Sequence, residues 1–165
     1  MSENDDGWTR AYAKQALSDL DAREALVSAG CHKCHRLHFL QMAAEKVCKA
    51  YLVKTNGHDH LKKTHACVKN VLPQLARSFF SNTNQNSAAK INRVKAVKRF
   101  AAEIEVLAPA CAEGGREDNC EYPWEELTGD VRVPCEFGFP NIDDSSRDIV
   151  PLITLIRNAS ESYSS

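Results

Sequence analysis

The sequence predicts an all-α protein: an antiparallel bundle of four to five helices, with a long irregular loop before the last helix. Three observations carry this expectation. Apolar residues recur at three- and four-residue steps through several long segments. Turn signals such as Gly30 and "NGHDH" at 56–60 separate those segments. One stretch, 109–145, has no period and is rich in proline, glycine and acid. The 165 residues are expected to form a single domain, 1–165, in which 109–145 is a loop insertion.

The first helix opens at Asp5 and Asp6, acidic residues suited to a helix start. Trp8, Tyr12, Ala16 and Leu20 then recur every fourth residue, with Ala13 and Leu17 beside them, as one apolar stripe. Gly30 ends it, because glycine accepts the left-handed cap conformation. The second helix spans about His32 to Thr55, where Leu37, Leu40, Ala44, Val47 and Tyr51 alternate steps of three and four. A third, shorter helix is expected to open at Thr64 and run into "ACVKNVL". Pro73 is expected to start a further turn, "PQLARSFF". After the polar loop "SNTNQNS", the fourth helix covers roughly 88–107, with Val94, Val97, Ala101, Ile104 and Leu107 inward. Lys95, Arg99 and Asn92 fall on its opposite face. The loop 109–145 is expected to hold at most short strands near 131–133, and loops of this length are usually functional or mobile. Ile149, Leu152, Ile153 and Ile156 mark the last helix, which starts at about Asp148 so that Pro151 sits in its first turn.

No apolar run approaches the roughly 20 residues of a membrane span. The opening "MSENDDGW" has neither a basic nor an apolar leader region. A cytoplasmic setting with reduced thiols is therefore expected for the seven cysteines, which form no paired framework. The net charge of −1 hides a segregation. Residues 36–100 hold 13 Lys and Arg against Glu45 and Asp59, a net of +11, whereas 101–165 hold 4 basic and 14 acidic side chains, a net of −10. A basic middle can hold phosphates, or it can pair with the acidic end within the chain or across a dimer.

Residues 31–35 read "CHKCH", with His38 three residues on. The spacing is that of a covalent haem site and overlaps that of zinc sites. On a helix Cys31, Cys34, His35 and His38 share a face but spread over roughly 10 Å of axis, too far for ~2.0–2.3 Å bonds to one ion. Cys48 lies roughly 21 Å beyond Cys34, and Cys67 is the one plausible outside partner. Helix packing with thiols as small fillers is the expected role, and no metal or cofactor is expected. His58, His60 and His65 follow a turn and read as a solvated loop.

The stretch "AKQALSDLDAREALVSAGCHKCHRLHFLQMAAEKVCKAYLV" resembles the opening of HEPN-domain proteins. The family's second helix carries Gln-x-Ala-Ala-Glu-Lys-x-x-Lys-Ala, here Gln41, Ala43, Ala44, Glu45, Lys46, Lys49 and Ala50. Its Thr-His-Asp-Leu is partly present as Thr64 and His65, with Ala66 and Cys67 departing from it. Its later Tyr-Pro is similar to Tyr122 and Pro123, preceded by Glu121 in place of the usual arginine. The resemblance implies a helical bundle, a homodimer, and nucleotide or nucleic-acid binding, in some members beside a nucleotidyltransferase partner. Many members are RNases that use an arginine followed some residues later by a histidine. Here Arg157 and Asn158 start that pattern, but Ser162 and Tyr163 stand where the histidine is needed, and no histidine follows His65. Serine does not titrate near neutrality and tyrosine does so near ~10, so neither replaces an imidazole.

The expected function is therefore non-catalytic binding of nucleotide or nucleic acid in an accessory or regulatory role. The phosphate-binding candidates are Lys62, Lys63, Lys69, Lys90, Arg93, Lys95, Lys98 and Arg99, with Arg157 as a further candidate. Tyr122 and Trp124 either stack a base or pin the loop onto the bundle. The alternatives are a metal-independent RNase with a degenerate site and a pure protein-interaction dimer.

Overall fold

The structure, a computed structural model, describes residues 3–63, 67–84, 86–111 and 118–165. It is an all-α bundle of five helices with one two-stranded hairpin among the described residues. Helix α1 (Glu3–Ser28) ends where the sequence signals a stop. Gly30 lies at φ +65, its N–H bonds the carbonyl of Val27, and the N–H of Cys31 bonds that of Leu26. These two bonds satisfy end carbonyls that the helix itself leaves open. The tight turn returns the chain along α1 as α2 (Lys33–Asn56), and the two helices pack along their length.

The stripe between α1 and α2 is fully buried: Ala13, Ala16 and Leu20 face Leu37, Leu40, Ala44 and Val47. Each buried leucine contributes about 1.5–3 kcal/mol of apolar burial. Trp8, expected on that stripe, is instead 40% exposed and stacks on His58, ring centroids 4.2 Å apart. His58 opens a 3-10 turn (His58–Lys63) after α2, and its N–H donates to the Asp5 carboxylate at 3.0 Å. The start of α1 is thereby fixed to the bend that follows α2.

Helix α3 (Val68–Ser81) corrects the expected break at Pro73. The proline sits inside one continuous helix, and the expected opening at Thr64 lies outside the described residues. An interior proline lacks the N–H for the preceding turn and costs about 3 kcal/mol or more. Val71, Leu72, Leu75, Ala76 and Phe80 are buried around it, and their combined apolar burial outweighs that cost. Helix α4 (Ser87–Glu105) starts at a side-chain cap, Asn86 Oδ1 accepting from the N–H of Ala89 at 2.8 Å. It packs along α3 and buries Val97, Phe100, Ala101 and Ile104.

Between α4 and α5 (Val150–Ser164) the described residues form 3-10 turns at Pro109–Cys111 and Arg147–Ile149 and the antiparallel pair β1 (Trp124–Glu125) and β2 (Val131–Arg132), and are otherwise irregular. Its second half is anchored by inserted apolar side chains rather than by a repeating stripe. Phe139 and Ile142 are buried in the core, and Phe137 packs edge-on against both Trp124 and Phe139. Phe139 holds φ +44, a conformation rare for a bulky residue. Lys33 clamps that turn by donating to the carbonyls of Gly138 and Phe139 at 3.0 and 3.1 Å. Pro151 stands in the first turn of α5, as expected, and Leu152, Leu155 and Ile156 are fully buried. α5 lies mainly against α1 and also reaches α2, α3 and α4. Among the described residues no helix is long and apolar enough to cross a membrane.

Candidate functional site

Part of the segregated charge is neutralised inside the chain. Arg36 bonds Asp144 through Nε at 2.8 Å and Nη2 at 3.2 Å. Lys69 Nζ lies 3.5 Å from Glu105, whose carboxylate also accepts from the Lys69 N–H at 3.0 Å. Arg99 pairs with Asp148 at 2.9 Å, and His38 Nδ1 lies 3.8 Å from Glu121. Each contact joins the basic block to the acidic one. Within the α1–α2 pair, Lys46 bonds Asp19, and Gln41 and Lys49 both reach Glu45. The Ala-Ala-Glu-Lys run thus positions α2 against α1: Ala43, Ala44 and Ala50 are buried while its charged members bond neighbours.

Among the described residues, subtracting these pairs leaves single cations without a carboxylate partner at Arg10, Lys14, Lys54 and Arg147, and a denser group on α3 and α4. Among the described residues, Arg77, Lys90, Arg93, Lys95 and Lys98 have no carboxylate partner. Arg77 is on α3 and the other four are on α4. Lys90 Nζ donates to the carbonyl of Ser81 at 2.8 Å, and the Arg93 guanidinium lies 5.6 Å from the Phe80 ring centroid. Between the helices runs a groove of about 320 Å³ lined by Arg77, Phe80, Lys90, Ile91, Val94 and Lys95. Ile91, Val94, Lys95 and Lys98 stand at i, i+3, i+4 and i+7, so Lys98 continues the row one turn further. Phe80 is buried and Ile91 is 53% exposed, which gives the groove an apolar floor beneath its cationic rim.

The candidates therefore separate. Lys90 and Lys95 line the groove from α4, Lys98 stands on the same helix beyond its lining, and Arg93 lies over Phe80. Lys69 and Arg99 are held by carboxylates. Arg157 bonds Asp21 at 3.1 Å and Glu24 at 2.9 Å, and these contacts, chiefly that to Glu24, raise its pKa above the ordinary guanidinium value. The side chains of Lys62 and Lys63 lie outside the described residues. Trp124 packs edge-on against Phe137 at 5.1 Å, while Tyr122 is 62% exposed. Sequence reasoning missed Arg77 and Phe80. Both fall in "PQLARSFF", and their three-residue spacing on an unbroken helix was the available signal.

In the "CHKCH" stretch Cys34 is buried, Cys31 is half-buried, and His32 and His35 are exposed. Among the described residues no three His, Cys, Asp or Glu side chains are grouped to hold a metal ion. Burial pushes the Cys34 thiol above its ordinary value.

A second cavity, of about 380 Å³, opens on the other side of the last turns of α3, against α5. Ser78, Phe79, Asn82, Asn158, Ser162 and Tyr163 contribute to its wall, and none of the side chains that line it carries a charge. Lys54 Nζ sits 5.0 Å from the Tyr163 ring centroid. Burial raises the Tyr163 phenol above its ordinary value, so it remains an O–H donor at neutral pH.

No family model matches this chain, and neither does any curated protein or solved structure.

Proposed function

We propose that this protein binds nucleotide or nucleic acid through the α3–α4 groove and does not cleave it. The observation that carries the reading is the cluster of Arg77, Lys90 and Lys95 without carboxylate partners, set around an apolar floor. Phosphates recruit such cations by releasing their own counterions. The resemblance of residues 8–72 to HEPN proteins supports the same ligand class. On this reading the chain is a HEPN-like accessory or regulatory module that works as a homodimer, in the manner of family members that serve a nucleotidyltransferase. Non-cleavage is supported by Ser162 and Tyr163 standing where RNase members carry histidine, and by the hydrogen bonds of Arg157 to Asp21 and Glu24.

The test is fluorescence anisotropy with a labelled single-stranded RNA across a salt series. Binding at low salt that weakens steeply with added salt supports the proposal, and absence of binding at low salt removes it. Intact RNA after prolonged incubation with the protein in EDTA supports non-cleavage. Cleavage there restores the alternative of a metal-independent RNase.

A further inference from the structure

We propose that the uncharged cavity between α3 and α5 is a nucleoside pocket that takes an adenine-like base with its ribose. The inference rests on the nucleotide-binding reading above for its ligand class and adds the place and chemistry of base recognition.

Size is the first argument. About 380 Å³ falls in the range of small-ligand sites and is too small for a folded partner element. Chemistry is the second. The cavity offers two aromatic rings, Phe79 and Tyr163, and two carboxamides, Asn82 and Asn158. An asparagine amide supplies a donor and an acceptor side by side, the pattern that pairs with adenine N7 and N6. Aromatic faces stack on any base. The hydroxyls of Ser78 and Ser162 suit the alcohols of a ribose.

The third argument is that these groups are unused. Among the described residues Asn158, Ser162 and the Tyr163 hydroxyl have no hydrogen-bond partner within the chain. Asn158 and Tyr163 are half-buried and Ser162 is exposed, so these groups are accessible to a ligand that enters the cavity. The uncharged lining means that the recognised part of the ligand is neutral and that any phosphate lies outside. The basic groove flanks the same end of α3: Arg77, Phe80 and Ser81 face the groove, while Ser78, Phe79 and Asn82 face the cavity.

One ligand chemistry here has two sources, a free nucleoside or nucleotide and a base within a single strand. The experiment titrates the full chain with adenosine, and separately with an oligoadenylate, following the side-chain amide resonances of Asn82 and Asn158. Saturable shifts of both amides with adenosine are expected. Asn158→Leu with Ser162→Ala is expected to weaken adenosine binding by about tenfold or more, with circular dichroism confirming an unchanged fold. Ser162→Trp, which blocks the cavity from its exposed rim, provides a second variant with the same expected loss. Leu127→Ala, at the exposed tip of the β1–β2 hairpin, is expected to leave adenosine affinity unchanged. If the oligoadenylate shifts the same amides, the source is a strand; if adenosine alone does so, the source is the free nucleoside.

The inference is overturned if adenosine at millimolar concentration leaves the cavity resonances in place, or if the cavity variants bind it as the wild type does. Retained low-salt RNA binding in that case leaves the basic-groove reading intact. Adenosine binding without any RNA binding removes the groove reading alone.

Discussion

Arg36 and Asp144 form a two-pronged ion pair, Nε to Oδ2 at 2.8 Å and Nη2 to Oδ1 at 3.2 Å. The backbone carbonyl of Asp144 also accepts from Arg23 at 3.1 Å, so this single residue ties the end of the irregular segment to both α1 and α2. Asp144→Ala strands a half-buried guanidinium and is expected to cost about 2–3 kcal/mol. Calorimetry should find the melting temperature lower by roughly 5–10 °C for a domain of this size. Arg99→Ala, which breaks the exposed pair with Asp148, is expected to stay within about 0.5 kcal/mol of wild type. Equal losses in the two variants would show that burial does not set the difference.

The apolar core supplies a second contrast. Leu37 and Leu152 are fully buried, whereas Leu127, at the tip of the β1–β2 hairpin, is fully exposed. Leu37→Ala or Leu152→Ala is expected to destabilise by about 2–5 kcal/mol, from lost transfer energy plus the cavity left behind. Leu127→Ala is expected to leave the urea midpoint within error of wild type.

The cysteines should divide by accessibility. Cys135 is exposed and Cys31 half-buried, while Cys34, Cys48, Cys67, Cys111 and Cys120 are buried. Thiol titration of the native protein is expected to modify Cys135 first and Cys31 more slowly, with the remainder reacting only after denaturant is added.

Alkaline pH provides a further test on the same residues. Burial raises Cys34, Cys48 and Cys120 above the ordinary thiol value. In the unfolded chain these thiols lose protons near ~8.5, while the folded chain retains them to higher pH. The unfolded state therefore binds fewer protons in that range, and stability falls as pH rises above about 8.5. Below that value these three thiols add no slope. Urea midpoints at about pH 7 and about pH 10 should show the decline, and Cys120→Ala, which removes one titration without overpacking the site, should reduce it.

RNA binding should lose salt sensitivity in proportion to the cations removed. Lys90→Glu with Lys95→Glu is expected to flatten the slope of log affinity against log salt by about 2, roughly one per lost phosphate contact. Arg157→Ala is expected to leave the slope unchanged, because that guanidinium is engaged by Asp21 and Glu24. A slope indifferent to both changes would detach the groove from binding.

The helices could be read from the sequence because each buries one stripe, and a stripe leaves a period. α1, α2, α4 and α5 follow their predicted spans to within a few residues. Pro73 misled because a local backbone rule was weighed without the five buried neighbours that override it. The irregular segment was legible only as a loop. Phe137, Phe139 and Ile142 enter the core singly, through turns, and single insertions have no periodicity to detect. The basic candidates were visible as a block, but which of them are neutralised was not. The pairing of Lys69 with Glu105, or of Arg99 with Asp148, joins residues 36 and 49 positions apart. Arg77 became part of the groove only because α3 continues unbroken past the proline.

The contact of Trp8 with His58 gives the molecule an internal optical gauge. The two rings lie nearly parallel, 9° apart, and the imidazole stands close enough to alter the indole's emission. The other indole, Trp124, faces Phe137 and senses a different region. Emission from Trp8 therefore records whether the amino-terminal turn is seated on its neighbouring bend, so fraying at that end becomes visible in fluorescence before the bundle itself comes apart.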